Sequence, residues 1–161
     1  MYSNLLNESE LQASQANHDL DNLVLDFGAG GNRFAISAMA VDRVIGYDQA
    51  RKRDPNQPWA DFHYATNLGE LPVIAFNRLA GIQAAGTDRL PTVVILNEQA
   101  GAALPRCGLL VHDLHPTVQP AEEIRLGDVP VYLNGSRHLF SATAVLAGRN
   151  LPLLRYPLQL N

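Results

Sequence analysis

Cysteine is almost absent from this chain of 161 residues, because Cys107 is the only one. One cysteine cannot form a disulfide within the chain, and it cannot supply the several thiolates of a cysteine-based structural zinc site. Charged residues are also scarce, at 17% of the chain, below the quarter or so that is usual. A surface with few charges leaves room for apolar patches, which suits a protein that acts by contact.

The chain also lacks any basic block, and its formal net charge is −4. Nucleic-acid binding needs a clustered basic face, so the composition argues against it. No window approaches the roughly 20 apolar residues that span a bilayer. The N-terminus has no basic start followed by an apolar run, so no signal peptide is expected. These absences predict a cytoplasmic protein without direct membrane insertion.

The length fits one domain, or two small subdomains that share a core. Residues 1–21 are rich in Asn, Gln, Ser, Glu and Asp, a composition typical of a flexible tail. We therefore expect a tail over residues 1–21 and one folded domain over residues 22–161.

Short apolar segments recur at intervals of roughly 8–15 residues with turn signals between them, a pattern typical of an all-β barrel or sandwich. A hairpin is expected where residues 23–27 and 33–36 flank the glycine-rich turn 28–32. Further strands are expected around residues 41–45, 71–76, 92–96, 107–114, 129–133, 138–140 and 151–158. Helical turns are predicted at residues 77–82 and 120–124, and one short helix at residues 141–148.

Candidate catalytic and metal-binding residues are few. Cys107 with His112, His115 or His138 offers a thiol and a base, but Cys107 begins an apolar strand, where a free cysteine is usually a core residue. His112 and His115 are three apart, so on a strand they face opposite ways and do not converge on a metal. Residues 28–31 are glycine-rich, but no helix follows to complete a phosphate loop. We expect no catalytic residue, no metal and no cofactor.

Three aromatic residues, Trp59, Phe62 and Tyr64, follow a loop that contains Pro55 and Pro58. They cover one end of a barrel in one interpretation. In the other they anchor a protein interface, where aromatic side chains often dominate the binding energy.

An ordered series of segments resembles the CheW-like domain, the adaptor module of bacterial chemosensory arrays. The family's opening hairpin, apolar-x-F-x-L-x-G-x-x-Y-A-I, is matched by residues 23–36. Further matches follow in order: V-x-E-V at residues 41–44, N-L-R-G and P-V-I-D-L at 67–76, R-L-G at 78–81, G-L-L-V-D at 108–112 and L-L-D-L at 153–156.

The resemblance implies an all-β fold of two interleaved, five-stranded SH3-like barrels around one hydrophobic core, with one or two short helices. It implies a non-catalytic adaptor that couples a CheA-type histidine kinase to chemoreceptor tips or to other CheW-like domains. Such a protein is expected in the cytoplasm, in association with membrane-bound receptor arrays. An accessory CheW-like protein of twitching motility or another non-flagellar pathway is the alternative within this class. A small β-barrel enzyme using Cys107 or His112 is the alternative from another class.

The chain departs from the family at its charged positions. Arg43 stands where the family has Glu, and the family's Arg before Gly69 is missing. Ala75 and His112 each replace an Asp. We predict that Arg43 and Glu70 form an ion pair of reversed polarity and choose the partner through charge. Together with the apolar residues Val44 and Leu68 they form the predicted partner-binding site.

Overall fold

Two β-sheets make up the protein in the computed structural model, which describes residues 22–47, 52–53, 60–66, 69–83, 91–98, 106–129 and 131–155. Sheet 1 contains β1 (Leu23–Ala29), β2 (Asn32–Ser37), β9 (Gln119–Pro120), β10 (Glu123–Leu126), β11 (Phe140–Leu146) and β12 (Arg149–Leu154). Sheet 2 contains β3 (Val41–Gly46), β4 (Lys52–Arg53), β5 (Phe62–Thr66), β6 (Gly69–Ala75), β7 (Thr92–Leu96) and β8 (Gly108–Val111). The predicted tail, residues 1–21, lies outside the described residues.

Each sheet has five longer strands and one strand of two residues, and the two-residue strand lies at an edge. The order in sheet 1 is β10-β11-β12-β2-β1-β9, and the order in sheet 2 is β3-β7-β8-β6-β5-β4. One stretch of chain supplies both edges of sheet 1, because β9 pairs with β1 and β10 pairs with β11. Backbone hydrogen bonds from Ala121 to Asn22 and from Glu122 to Val145 lie between these two pairings. The predicted pair of five-stranded barrels is confirmed, with sheet 1 forming barrel 1 and sheet 2 forming barrel 2.

Three apolar clusters follow from the alternation of side chains along these strands. Leu25 and Phe27 project from β1 into a core that both sheets share, whereas Val24 projects the other way into the core of barrel 1. The shared core includes four phenylalanine rings, with centroids 4.9 to 6.3 Å apart, from Phe27, Phe34, Phe76 and Phe140. Leu71, Val73, Val93 and Ile95 form the core of barrel 2.

The predicted first hairpin is present, with β1 and β2 antiparallel. Gly30 and Gly31 form its turn with φ of +58° and +83°, a backbone conformation that glycine adopts without steric cost. Gly30 also lies against the segment after the short helix α1 (Phe76–Leu79), where a Cβ on Gly30 would overlap Ile82 Cγ2. The predicted helical turn at residues 77–82 is present as α1, which starts one residue earlier and ends at Leu79.

Two predicted helices are wrong. In the predicted helix 141–148, residues 141–146 belong to β11, a strand between β10 and β12, and residues 147–148 form the turn after it. Residues 142–146 are all buried. Burial on both faces leaves no polar helix face, and strand pairing overrides the helical preference of alanine. Residues 120–124 belong to β9, β10 and their connection, because the N–H groups of Ala121 and Glu122 donate to distant acceptors, Asn22 O and Val145 O.

The two short strands predicted at residues 129–133 and 138–140 are also wrong, because 3₁₀ turns occupy Val131–Leu139. The backbone is non-helical at Ser136, so these are two turns rather than one helix. Arg155 holds the end of this segment: its Nε donates to His138 O at 3.1 Å and its Nη2 to Phe140 O at 3.3 Å. Across the described parts of the chain, no helix has the length and apolarity needed to cross a membrane.

Candidate interaction surface

β3 carries two of the four residues predicted to bind a partner. It is an edge strand of sheet 2, hydrogen-bonded to β7. Val44 is half-buried against the shared core, and Arg43 is half-exposed. Glu70 lies on β6, and Leu68 falls outside the described residues. The structure therefore brings Arg43 and Val44 together on one strand and places Glu70 elsewhere in the sheet.

Arg43 and Glu70 do not form the predicted ion pair. Arg43 lies opposite Ile95, whose side chain joins the core of barrel 2 together with that of Val73. Glu70 and Val73 are three residues apart on β6, and side chains alternate between faces along a strand. Glu70 therefore projects from the face of sheet 2 opposite to that of Val73 and Arg43. Two strands, β7 and β8, also separate β3 from β6. The pairing was wrong because the two side chains lie on opposite faces, whereas the partner-binding role of each residue stays a prediction.

Each of these side chains has a different polar neighbour. Glu70 Oε2 lies 3.3 Å from Nδ1 of the buried His63, on the adjacent strand β5. Arg43 Nε lies 3.9 Å from Asp42 Oδ2, which is too long for a hydrogen bond. The Asp42 carboxylate is already hydrogen-bonded by Nη2 of Arg106. Asp42 therefore lies between two guanidinium groups.

We call Asp42, Arg43 and Arg106 the β3 basic cluster. Arg106 is fixed to the sheet, because its Nε donates to Leu96 O at 3.2 Å. Two guanidinium groups around one carboxylate leave an excess of positive charge. Asp42 and Arg106 were not predicted from the sequence, since 64 residues separate them. They come together because β3 and the segment that leads into β8 both lie beside β7.

Exposed apolar surface lies at the same end of β3. Met39 is 57% exposed, on the 3₁₀ turn Ala38–Ala40 that leads into the strand. Asn97 holds this turn in place, donating from Nδ2 to Met39 O at 2.8 Å and from its backbone N to Ala40 O at 2.9 Å. Asn97 follows Leu96, the residue that anchors Arg106. A fixed turn therefore presents a methionine beside the β3 basic cluster.

A second charged contact links Asp61, the residue before β5, to α1. Asp61 Oδ2 accepts a hydrogen bond of 2.7 Å from the backbone N–H of Ala75, which immediately precedes α1. Arg78 Nε lies 3.0 Å from Asp61 Oδ1. The same carboxylate thus satisfies a backbone donor at the start of the helix and a basic side chain within it.

The aromatic residues after the proline-containing loop pack inward where they are described. Phe62 and Tyr64 lie against the core of barrel 2, and the Phe62 ring meets Tyr47 edge-on with centroids 6.0 Å apart. This placement favours the interpretation in which they cover the barrel. Trp59 lies outside the described residues.

The enzyme alternative depended on Cys107 as a nucleophile. Cys107 is 3% exposed and packs in the shared core. Burial raises the pKa of its thiol from 9.0 to about 11, so the reactive thiolate is almost unpopulated at neutral pH. These observations assign Cys107 to packing.

The two histidines after β8 are both hydrogen-bonded through their backbones, and the buried ring Nδ1 of His112 has no hydrogen-bond partner among the described residues. The backbone of His112 exchanges both hydrogen bonds with Gly28, at 2.7 and 3.1 Å. His115 N donates to Asp26 O, and its Nδ1 lies 3.3 Å from the Thr117 oxygens. Among the described residues no three His, Cys, Asp or Glu side chains lie close enough together to hold a metal ion.

Comparison with known proteins now adds to this geometry. The family model of the CheW-like domain matches residues 23–161. The chain belongs to the CheW-like domain family. Its fold is similar to that in the crystal structure of the scaffolding protein TtCheW from Thermoanaerobacter tengcongensis, with a TM-score of 0.65 and 15% identity over 84% of this chain and 89% of that one. A search of curated proteins finds no match for this CheW-like domain.

Proposed function

We propose that this CheW-like domain is a non-catalytic adaptor that couples a CheA-type histidine kinase to chemoreceptors or other components of a bacterial chemosensory array. Membership of the family over residues 23–161 is the observation that carries the proposal. The topology supports it, because each of the two sheets has edge strands, and a sheet edge can serve as a contact with another protein.

The proposed contact surface is the edge of β3, with Arg43 and Val44 as its central residues. Leu68 and Glu70 are assigned to the same partner-binding role, although Glu70 projects from the opposite face of sheet 2. Glu70 would serve a second contact there. We place the protein in the cytoplasm, held at membrane-bound receptor arrays by these contacts.

The accessory CheW-like role in twitching motility or another non-flagellar pathway uses the same fold and differs only in the partner. The enzyme alternative is disfavoured by the burial and the raised pKa of Cys107.

A binding assay tests the adaptor proposal. The purified full chain is mixed with a fragment of the kinase and a fragment of the receptor tip from the same cell, each in turn, and binding is measured by calorimetry. We expect binding to the kinase fragment in the micromolar range or tighter, and a weaker complex for Arg43→Glu. Arg125→Glu is the matched control, because Arg125 is a half-exposed arginine on β10 of sheet 1. If the wild-type chain binds neither fragment, the adaptor proposal fails.

A further inference from the structure

The β3 basic cluster has an unused hydrogen-bond donor. Nε of Arg43 is shielded from water, and it has no hydrogen-bond acceptor within the described part of the chain. The side chain as a whole is 38% exposed, so other parts of it reach solvent. Buried donors of charged groups are normally satisfied, and an unsatisfied one is a point where an acceptor from outside can be gained.

The cluster cannot satisfy this donor by itself. Asp42 is the adjacent carboxylate, but it is hydrogen-bonded to Arg106 and lies 3.9 Å from Arg43 Nε. Arg106 is in turn held by Leu96 O, which fixes the geometry of the Asp42–Arg106 pair. Among the residues that the structure describes, the Arg43 guanidinium therefore has no hydrogen-bonded carboxylate.

From this geometry we infer that Arg43 binds a carboxylate of an acidic segment in the protein partner, so that this surface selects partners of negative charge. A guanidinium group holds a carboxylate through two parallel hydrogen bonds, which adds direction to the charge attraction. The inference deepens the proposed adaptor function and rests on it for the identity of the partner.

The neighbouring surface limits the kind of segment that fits. Met39 is exposed on a turn that Asn97 fixes, at the end of β3 where Arg106 is anchored. Methionine adapts its shape to varied apolar partners. An acidic side chain next to an apolar one is therefore the expected pattern, with the acid on Arg43 and the apolar group on Met39.

The test uses the ¹⁵N-labelled full chain and follows the Nε–Hε signal of Arg43 by NMR, assigned through its loss in Arg43→Gln. The probes are two synthetic peptides of the same length with identical leucine positions, one with glutamate and the other with lysine at the remaining positions. We expect the glutamate peptide to shift the Arg43 signal in a saturable way and the lysine peptide to leave it in place.

Two variants separate a specific contact from general charge attraction. Arg43→Gln is expected to weaken binding of the glutamate peptide at least fivefold. Arg125→Gln removes the same charge from sheet 1, where Arg125 is paired with Glu123, and is expected to change the affinity less than twofold. Equal losses in the two variants would overturn the inference, as would an unshifted Arg43 signal.

The same NMR experiment detects two other binding partners for Arg43, and either one would contradict the proposal. A second copy of the chain would make the Arg43 signal depend on protein concentration before any peptide is added. The chain's own N-terminal segment would be revealed if the signal moves when its acids are neutralised, in a full chain carrying Glu8→Gln, Glu10→Gln, Asp19→Asn and Asp21→Asn.

The outcome of the peptide titration does not depend on the adaptor proposal. Should the kinase and receptor fragments fail to bind while the glutamate peptide binds at Arg43, the adaptor function fails and the acidic preference of the surface stands. Should the fragments bind with equal affinity to wild type and Arg43→Gln, the adaptor function stands and this inference is overturned.

Discussion

Nη2 of Arg33 lies 2.6 Å from Oδ1 of Asp26, a carboxylate that is only 2% exposed. Oδ2 of the same carboxylate lies 3.2 Å from Nη2 of Arg149. The three residues come from the adjacent strands β1, β2 and β12. Asp26 therefore links three strands of barrel 1 through charge, at a position where strand alternation directs it to the same side as the barrel residue Val24.

Asp26→Asn is expected to lower the free energy of unfolding by about 2 kcal/mol, because hydrogen bonds to charged groups are each worth about 1.5–3 kcal/mol. The loss is smaller than for a fully buried pair, since both arginines reach solvent and can be hydrated when the carboxylate is gone. Urea unfolding followed by circular dichroism measures it. Glu123→Gln removes an exposed partner of Arg125 instead and should cost less than about 0.5 kcal/mol. A similar loss in both variants would contradict a special role for Asp26.

Gly30→Ala is expected to destabilise the protein by at least about 2 kcal/mol. Positive φ costs a residue with a Cβ about 1–2 kcal/mol, and here the Cβ would also overlap Ile82 and lie 2.6 Å from Gln83 O. Gly31 is the matched control, because its φ is +83° and nothing lies within 4 Å of the position that a Cβ would take there. Gly31→Ala should destabilise the protein by about 1 kcal/mol, from the backbone strain at positive φ alone. Equal midpoints in thermal unfolding would show that the contact with Ile82 is unimportant.

Sequence patterns predicted the strands whose two faces meet different surroundings or whose composition is strongly β-branched, such as β1 and β7. They failed at β11, where the alanines, which are buried on both faces, give a sequence pattern that resembles a helix. They also failed at residues 120–124, whose hydrogen-bond partners are far along the chain. The candidate site shows the same limit. Arg43 was found through its position in a motif, but its neighbour Arg106 is 64 residues from Asp42. Whether two charges share a face depends on the register of the sheet, which local spacing does not encode.

Asp61→Ala is expected to cost about 1–2 kcal/mol, since it removes the acceptor for the Ala75 N–H and the partner of Arg78 together. Asp61→Asn keeps an oxygen that can accept from Ala75 and loses only the exposed ion pair, so its cost should stay below about 1 kcal/mol. Chemical denaturation of the two variants separates these contributions. An equal loss would mean that the ion pair with Arg78, rather than the backbone hydrogen bond, carries the stability.

The raised pKa of the Cys107 thiol predicts that the free energy of unfolding decreases at alkaline pH. Its pKa is about 11 in the folded protein and 9.0 without burial, so between these values the unfolded chain loses the proton while the folded chain keeps it. The folded state then binds more protons, and the free energy of unfolding should decrease by up to about 1.4 kcal/mol per pH unit as the pH rises through that window. The comparison is with Cys107→Ala, which lacks the thiol and should show a flatter curve from pH 9 upward.

In parallel, a maleimide reagent at neutral pH should label Cys107 only as fast as the protein unfolds. Rapid labelling of the native wild-type chain, or identical alkaline curves for the two proteins, would contradict the buried position of the thiol.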